Sequence, residues 1–209
     1  MEKTTPLQKS RVSIFNMACS IARQGKTIAS YNEESNLARL CRLHYDDARK
    51  EALAAFDWPF ATRTIQADKV SVKTQNGYRS MFAIPQDNIV ILAVYPNFTA
   101  AKMKHPIPVP EVIVAEDGNQ YLAADLDSLV VKYVRDNEDY PMWNPSFSAY
   151  VAHCLAMRIA QSLDLSSSKI GEIAQLKAMA GSNAASSLST EKDNKDVSKD
   201  FKYIRTRGF

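Results

Sequence analysis

Apolar residues change their spacing twice along the chain. Ile14, Phe15, Ala18, Ile21 and Ala22 follow Leu7 at helical intervals. Thr5 can cap this first helix, Pro6 suits its first position, Gln8 completes a capping box and Gly25 marks a stop. A second box, Ser30-Tyr31-Asn32-Glu33, predicts a helix running to about Phe56. Its inward stripe is Leu37, Leu40, Cys41, Tyr45, Ala48, Ala52, Ala55 and Phe56. The alanines leave little bulk there, so a partner helix can approach closely. Asp46, Asp47, Arg49, Lys50 and Glu51 fall mostly on the other side, a solvated or inter-subunit face.

That helix stops at Asp57-Trp58-Pro59-Phe60, and the next segment reads as a strand. Pro59 lacks the amide that a continuing helix needs and pushes Trp58 out of helical geometry. Trp58, Pro59 and Phe60 are therefore expected to form a structural hinge, with the two aromatic rings as a buried pin. From about residue 62 the chain turns β-rich, with strands predicted at 78–83, 89–95, 112–115, 121–124 and 129–134. Pro85, Pro96, Pro106, Pro108 and Pro110 punctuate them. Glu116-Asp117-Gly118-Asn119 reads as a hairpin turn in which Asp-Gly supplies positive φ angles.

Helical spacing returns after Asn144-Pro145, a cap followed by a first-turn proline, with Phe147, Val151, Cys154, Leu155 and Ile159 as the stripe. A last helix is predicted from near Ser168, carrying Ile170, Ile173, Ala174, Lys177, Ala184 and Leu188. The pattern implies an α+β fold with a four-helix core. Its parts are N-terminal helices (1–61), a β-rich insertion (62–143), C-terminal helices (144–188) and an extended arm (189–209). The arm first alternates charges, which suits a solvated, extended segment. It then ends in Phe201-Lys202-Tyr203-Ile204-Arg205-Thr206-Arg207-Gly208-Phe209, aromatic and basic with no acidic residue.

Composition narrows the functional classes. Hydrophobic residues at 45% and charged residues at 23% are ordinary for a globular chain. No apolar run approaches the roughly 20 residues of a membrane span, and MEKTTPLQKS lacks a secretory stretch, so a cytosolic chain with no membrane partner is expected. A net charge of +3 does not by itself argue for nucleic acid. Cys19, Cys41 and Cys154 are widely spaced within helical patterns and read as small buried hydrophobes, not as a disulfide framework or zinc site.

Signals for catalysis are thin. The glycines are dispersed, without a dinucleotide fingerprint, P-loop or nucleophile elbow. His44, His105 and His153 stand far apart, and His44 with Asp46 and Asp47 does not share one helix face well. His44 reads as a helix-surface residue, and His153 beside Cys154 as packing or interface. A triad assembled from distant residues stays open, because triads are defined by geometry. No catalytic, metal or cofactor-binding residue is assigned, and no enzyme is expected. Only the last nine residues have the basic and aromatic character of a nucleic-acid footprint. Lys202, Arg205 and Arg207 could touch phosphate, while Phe201, Tyr203, Ile204 and Phe209 suit docking on protein, the favoured reading.

Four segments in fixed order carry a resemblance: "YDDARKEALAAFDWPFAT", "YRSMFAIPQDNIVILAVYP", "AEDGNQYLA" and "VVKYVRDNEDYPMWNPSFSAYVAHCLAMRIAQSL". Over about residues 7–188 the chain resembles the head-to-tail adaptor (connector) proteins of tailed phages, called tail tubular protein A in T7-like viruses. The resemblance implies a homo-oligomeric ring, usually dodecameric, between the portal protein and the tail nozzle or tail tube. Double-stranded DNA would pass its lumen without sequence specificity. It implies no catalysis and no cofactor, assembly in the bacterial host cytoplasm, and a place at the head-tail neck of the virion. In related adaptors a C-terminal extension reaches the portal. Residues 189–209 match it in position and composition, so Phe201, Lys202, Tyr203, Ile204, Arg205, Arg207 and Phe209 are the expected portal interface. Their own order matches no family pattern. A closed ring needs heterologous contacts between copies, and a modest net charge is compatible with a conduit. The alternative reading is a nucleic-acid-binding accessory protein acting through its basic aromatic tail.

Overall fold

The computed structural model describes residues 6–22, 25–71 and 77–205; for Pro6, Gln8, Lys9 and 191–205 it describes the backbone alone. In chain order the elements are α1 (Pro6–Ile21), α2 (Asn36–Ala55), β1 (Thr62–Gln66), β2 (Lys69–Val70), β3 (Ser80–Ala83), β4 (Asn88–Tyr95), α3 (Phe98–Lys102), β5 (Glu111–Val114), β6 (Gln120–Ala124), β7 (Val130–Arg135), a 3-10 turn (Tyr140–Met142), α4 (Pro145–Ser162) and α5 (Ser167–Arg205). The fold is α+β, with helical N- and C-terminal parts flanking a β region. Two compact units result, Met1–Ala52 with Asp139–Phe209, and Leu53–Glu138.

In the helical unit, α1 buries Ile14, Phe15, Ala18, Cys19 and Ala22, while Leu7 is exposed. The expected cap Thr5 lies outside the described residues. Asn16 holds the connection after α1. Its side-chain oxygen accepts from the Ile28 amide at 2.7 Å and its Nδ2 donates to the Ile28 carbonyl at 3.0 Å. The second helix begins later than its box predicts. The Glu33 carboxylate accepts from the Ala29 amide at 2.7 Å, closing a turn, and α2 then opens behind Ser35, whose hydroxyl accepts from the Ala38 amide. Its inward residues are Ala38, Cys41, Tyr45, Ala48, Arg49 and Ala52. Arg49 thus corrects the solvated-face reading, being only 2% exposed with Asp46 at 3.8 Å. A long aliphatic stem can cover apolar surface while its head stays paired.

Asn144 caps α4 as predicted, accepting from the Phe147 amide at 2.7 Å, and Phe147, Val151, Cys154, Leu155 and Ile159 are all buried. The helix packs against α1 and α5. On α5, Ile173, Ala184 and Leu188 are buried, whereas Ala174 faces solvent. Its backbone stays helical to Arg205, where an extended arm is predicted from residue 189. No glycine or proline stands between Gly181 and Gly208 to break it.

The β unit holds two antiparallel sheets, ordered β1-β7-β4 and β2-β3-β6-β5. Phe82, Leu122 and Ala124 of the second meet Val94, Val131 and Tyr133 of the first in one cluster that joins the sheets. Met81, Ile113, Ala115 and Ala123 form a smaller cluster on the other face of the larger sheet. The five strands predicted between 78 and 134 are present. Two elements are not predicted, the two-residue β2 and the short helix α3. At the β5–β6 hairpin only Gly118 takes a positive φ, +79°. The Gly118 amide donates to Ala115 at 3.0 Å and the Ala115 amide to Asn119 at 2.9 Å. This closes a three-residue loop with glycine last, so Asp117 needs no left-handed conformation. Its carboxylate instead accepts from the Asn119 amide at 3.0 Å and the Tyr121 hydroxyl at 2.6 Å.

Candidate functional site

The junction predicted as a hinge sits in the β unit. Trp58 is fully buried, Phe60 half-buried and Pro59 exposed. The Trp58 ring meets Phe56 edge-on at 5.5 Å and Phe60 at 6.2 Å. The Trp58 carbonyl accepts from the amides of Ala61 and Thr62 and from the Thr62 hydroxyl, fixing the turn that launches β1. These bonds make a structural corner.

The second tryptophan anchors the entry to α4. Trp143 stacks on Tyr140 at 4.2 Å and meets Phe147 edge-on at 4.6 Å. The hydroxyls of Tyr140 and Tyr45 bond to each other, and burial raises the Tyr140 phenol above its ordinary range. Arg11 lies over Tyr45 at 5.2 Å and Tyr31 at 5.7 Å, within cation–π range.

One histidine acquires a partner that local spacing does not reveal. His44 Nε2 lies 2.7 Å from Ser162 Oγ, a serine–histidine contact across 118 residues. The Ser162 hydroxyl also lies 3.1 Å from the Arg158 carbonyl, and its proton goes to that oxygen or to the imidazole according to the His44 tautomer. His153 donates from Nδ1 to the Ala149 carbonyl at 2.8 Å within α4. Among the described residues no group of three or more His, Cys, Asp or Glu side chains is placed to hold a metal ion.

The densest charged cluster lies among α2, α4 and α5. Glu51 accepts from Arg158 at 3.0 and 3.2 Å and from Lys177. Asp47 lies 3.7 Å from Arg158. Burial pushes the Glu51 carboxyl up, but the Lys177 and Arg158 charges outweigh it and hold the group below the usual carboxylate range. Beside it, burial raises the Cys154 thiol to about 12. The cluster's bonds run between helices, and they secure the near half of α5. No periodicity signals this cluster, because its partners are 107 and 126 residues apart.

Five of the remaining sequence-predicted site residues lie at the far end of α5. Phe201, Lys202, Tyr203, Ile204 and Arg205 occupy its last turns, described as backbone alone, whereas Arg207 and Phe209 lie outside the described residues. Leu188 is the last buried position described on this helix. In the β unit, the stretch around α3 exposes Phe98, Met103 and Val109, and β5 exposes Val112 and Val114. No helix among the described residues is long and apolar enough to cross a membrane. No protein-family profile matches the sequence, and comparison with curated proteins found no match.

Proposed function

We propose that the chain is a structural virion protein, a head-to-tail adaptor that assembles as a ring between the portal protein and the tail. The ordered resemblance of residues 7–188 to that family motivates this reading. The observation that carries it is the division of α5. Ion pairs and buried residues hold its first half to the helical unit, and its backbone continues from Leu188 to Arg205, roughly 25 Å at the rise of an α-helix. A helix secured at one end and continuing into an aromatic, basic segment suits reaching a second protein. Exposed apolar residues around α3 and on β5 supply further surface for contacts between copies or with the tail. The DNA then passes through the assembly, and the protein performs no chemistry upon it.

The direct test is negative-stain imaging of the purified chain mixed with purified portal. Rings stacked coaxially on the portal are expected. Steeply salt-dependent DNA binding by the isolated chain, without rings, would replace this reading with that of a nucleic-acid accessory protein.

A further inference from the structure

Cys19 on α1 and Cys41 on α2 meet inside the helical unit, with their sulfurs 3.9 Å apart. They are 1% and 0% exposed. Their contact is unexpected from the sequence, which places each on an inward face but does not pair the faces. Cys154, the remaining cysteine, is buried on α4 and hydrogen-bonded with Tyr150.

We propose that Cys19 and Cys41 are a modification site, a dithiol that closes to an intramolecular disulfide with a low-molecular-weight disulfide as oxidant. Bond formation requires the sulfurs to approach from van der Waals contact to about 2.05 Å. Ala18, Ala22 and Ala38 stand near the pair along their helices and are buried, and one turn away the rings of Phe15 and Tyr45 meet edge-on at 5.6 Å. Either sulfur can donate the hydrogen bond they share, and burial opposes the ionisation of both.

The exchange balances with one external disulfide. The thiolate of one cysteine attacks it and releases one small thiol, leaving a mixed disulfide. The sulfur of the other cysteine then attacks the protein sulfur of that mixed disulfide and displaces the second small thiol. The two cysteine protons end on the two released thiols, the protein pair is oxidised by two electrons, and the external disulfide is reduced. Because both sulfurs are buried, the first step waits on local opening of the helices. The product joins α1 to α2 covalently, and this inference is independent of the adaptor reading.

The test incubates the full chain with oxidised glutathione and maps its peptides without reduction. The expected product is two hydrogens lighter, carries a Cys19–Cys41 link and retains a free Cys154. Its melting temperature should rise by about 5–10 °C and return on treatment with dithiothreitol. Sub-denaturing urea should accelerate closure. Cys19→Ala and Cys41→Ala should each abolish the link; should either fail to fold, the wild-type peptide map decides alone. A link to Cys154, a cross-linked dimer, glutathione retained on one cysteine, or three free thiols under conditions that oxidise the unfolded chain would overturn the proposal.

Discussion

Glu51 on α2 receives a hydrogen bond from the Lys177 ammonium on α5, 126 residues further along the chain. The same carboxylate accepts two bonds from Arg158 on α4. One half-buried acid therefore ties together three helices drawn from the two ends of the chain. The chemistry of this group is positional, and its consequence is the anchoring of α5.

That anchoring is acid-sensitive. Glu51 titrates lower in the folded chain than in the unfolded one, so its contribution is complete above the unfolded value near 4.3. It is lost as pH falls through the folded value. Glu51→Gln should cost on the order of 1 kcal/mol at neutral pH, since the partners are partly solvated. Melting curves of wild type and variant should converge in acid below about pH 4. A difference that stays constant with pH would remove Glu51 from the anchoring role.

Trp58 is the largest fully buried side chain. Trp58→Ala should cost roughly 3–5 kcal/mol, through lost burial and the cavity left behind. A thermal melt indistinguishable from that of wild type would show that the ring is not part of the core.

Lys104 and Gly118 make a matched pair of backbone tests. Lys104 has a φ of 58° at the end of α3, where the His105 amide bonds to Ala100 and the Lys104 amide to Ala101. That closing pattern favours glycine. Lys104→Gly should stabilise the β unit by up to about 1 kcal/mol. Gly118→Ala should destabilise it by about 1 kcal/mol; nothing lies within 4 Å of the added Cβ, so the cost is backbone strain alone. Urea unfolding of the two variants reads both signs, and a shift in the same direction for both would contradict the backbone account.

Deletion of residues 190–209 removes only residues that follow Leu188, the last buried position described on α5. The truncated chain should keep its melting temperature and lose attachment to portal. Undiminished co-sedimentation with purified portals would exclude the segment from docking.

Much of the fold is legible locally. Asn144-Pro145 announces α4 because the cap oxygen and the missing proline amide act within one turn of the helix. Gly118 announces its hairpin for a similarly local reason, although the hydrogen-bonded loop length decides that glycine alone takes the left-handed conformation. Ser30 misleads by one turn, because the Glu33 carboxylate satisfies the Ala29 amide in a separate bend. Arg49 misleads because a charged residue is assigned outward by type, whereas its stem lies on the inward stripe.

The sequence alone determined the class of fold, the order of the longer helices and strands (without β2 and α3), and the corner at Trp58-Pro59, since periodicity, caps and proline sterics act over a few residues. Tertiary structure alone decided which inward faces meet. It brought Cys19 against Cys41, Glu51 against Lys177, and the serine of α4 under His44. Such pairs depend on side-chain packing between helices remote in the chain, for which neither spacing nor composition carries a signal.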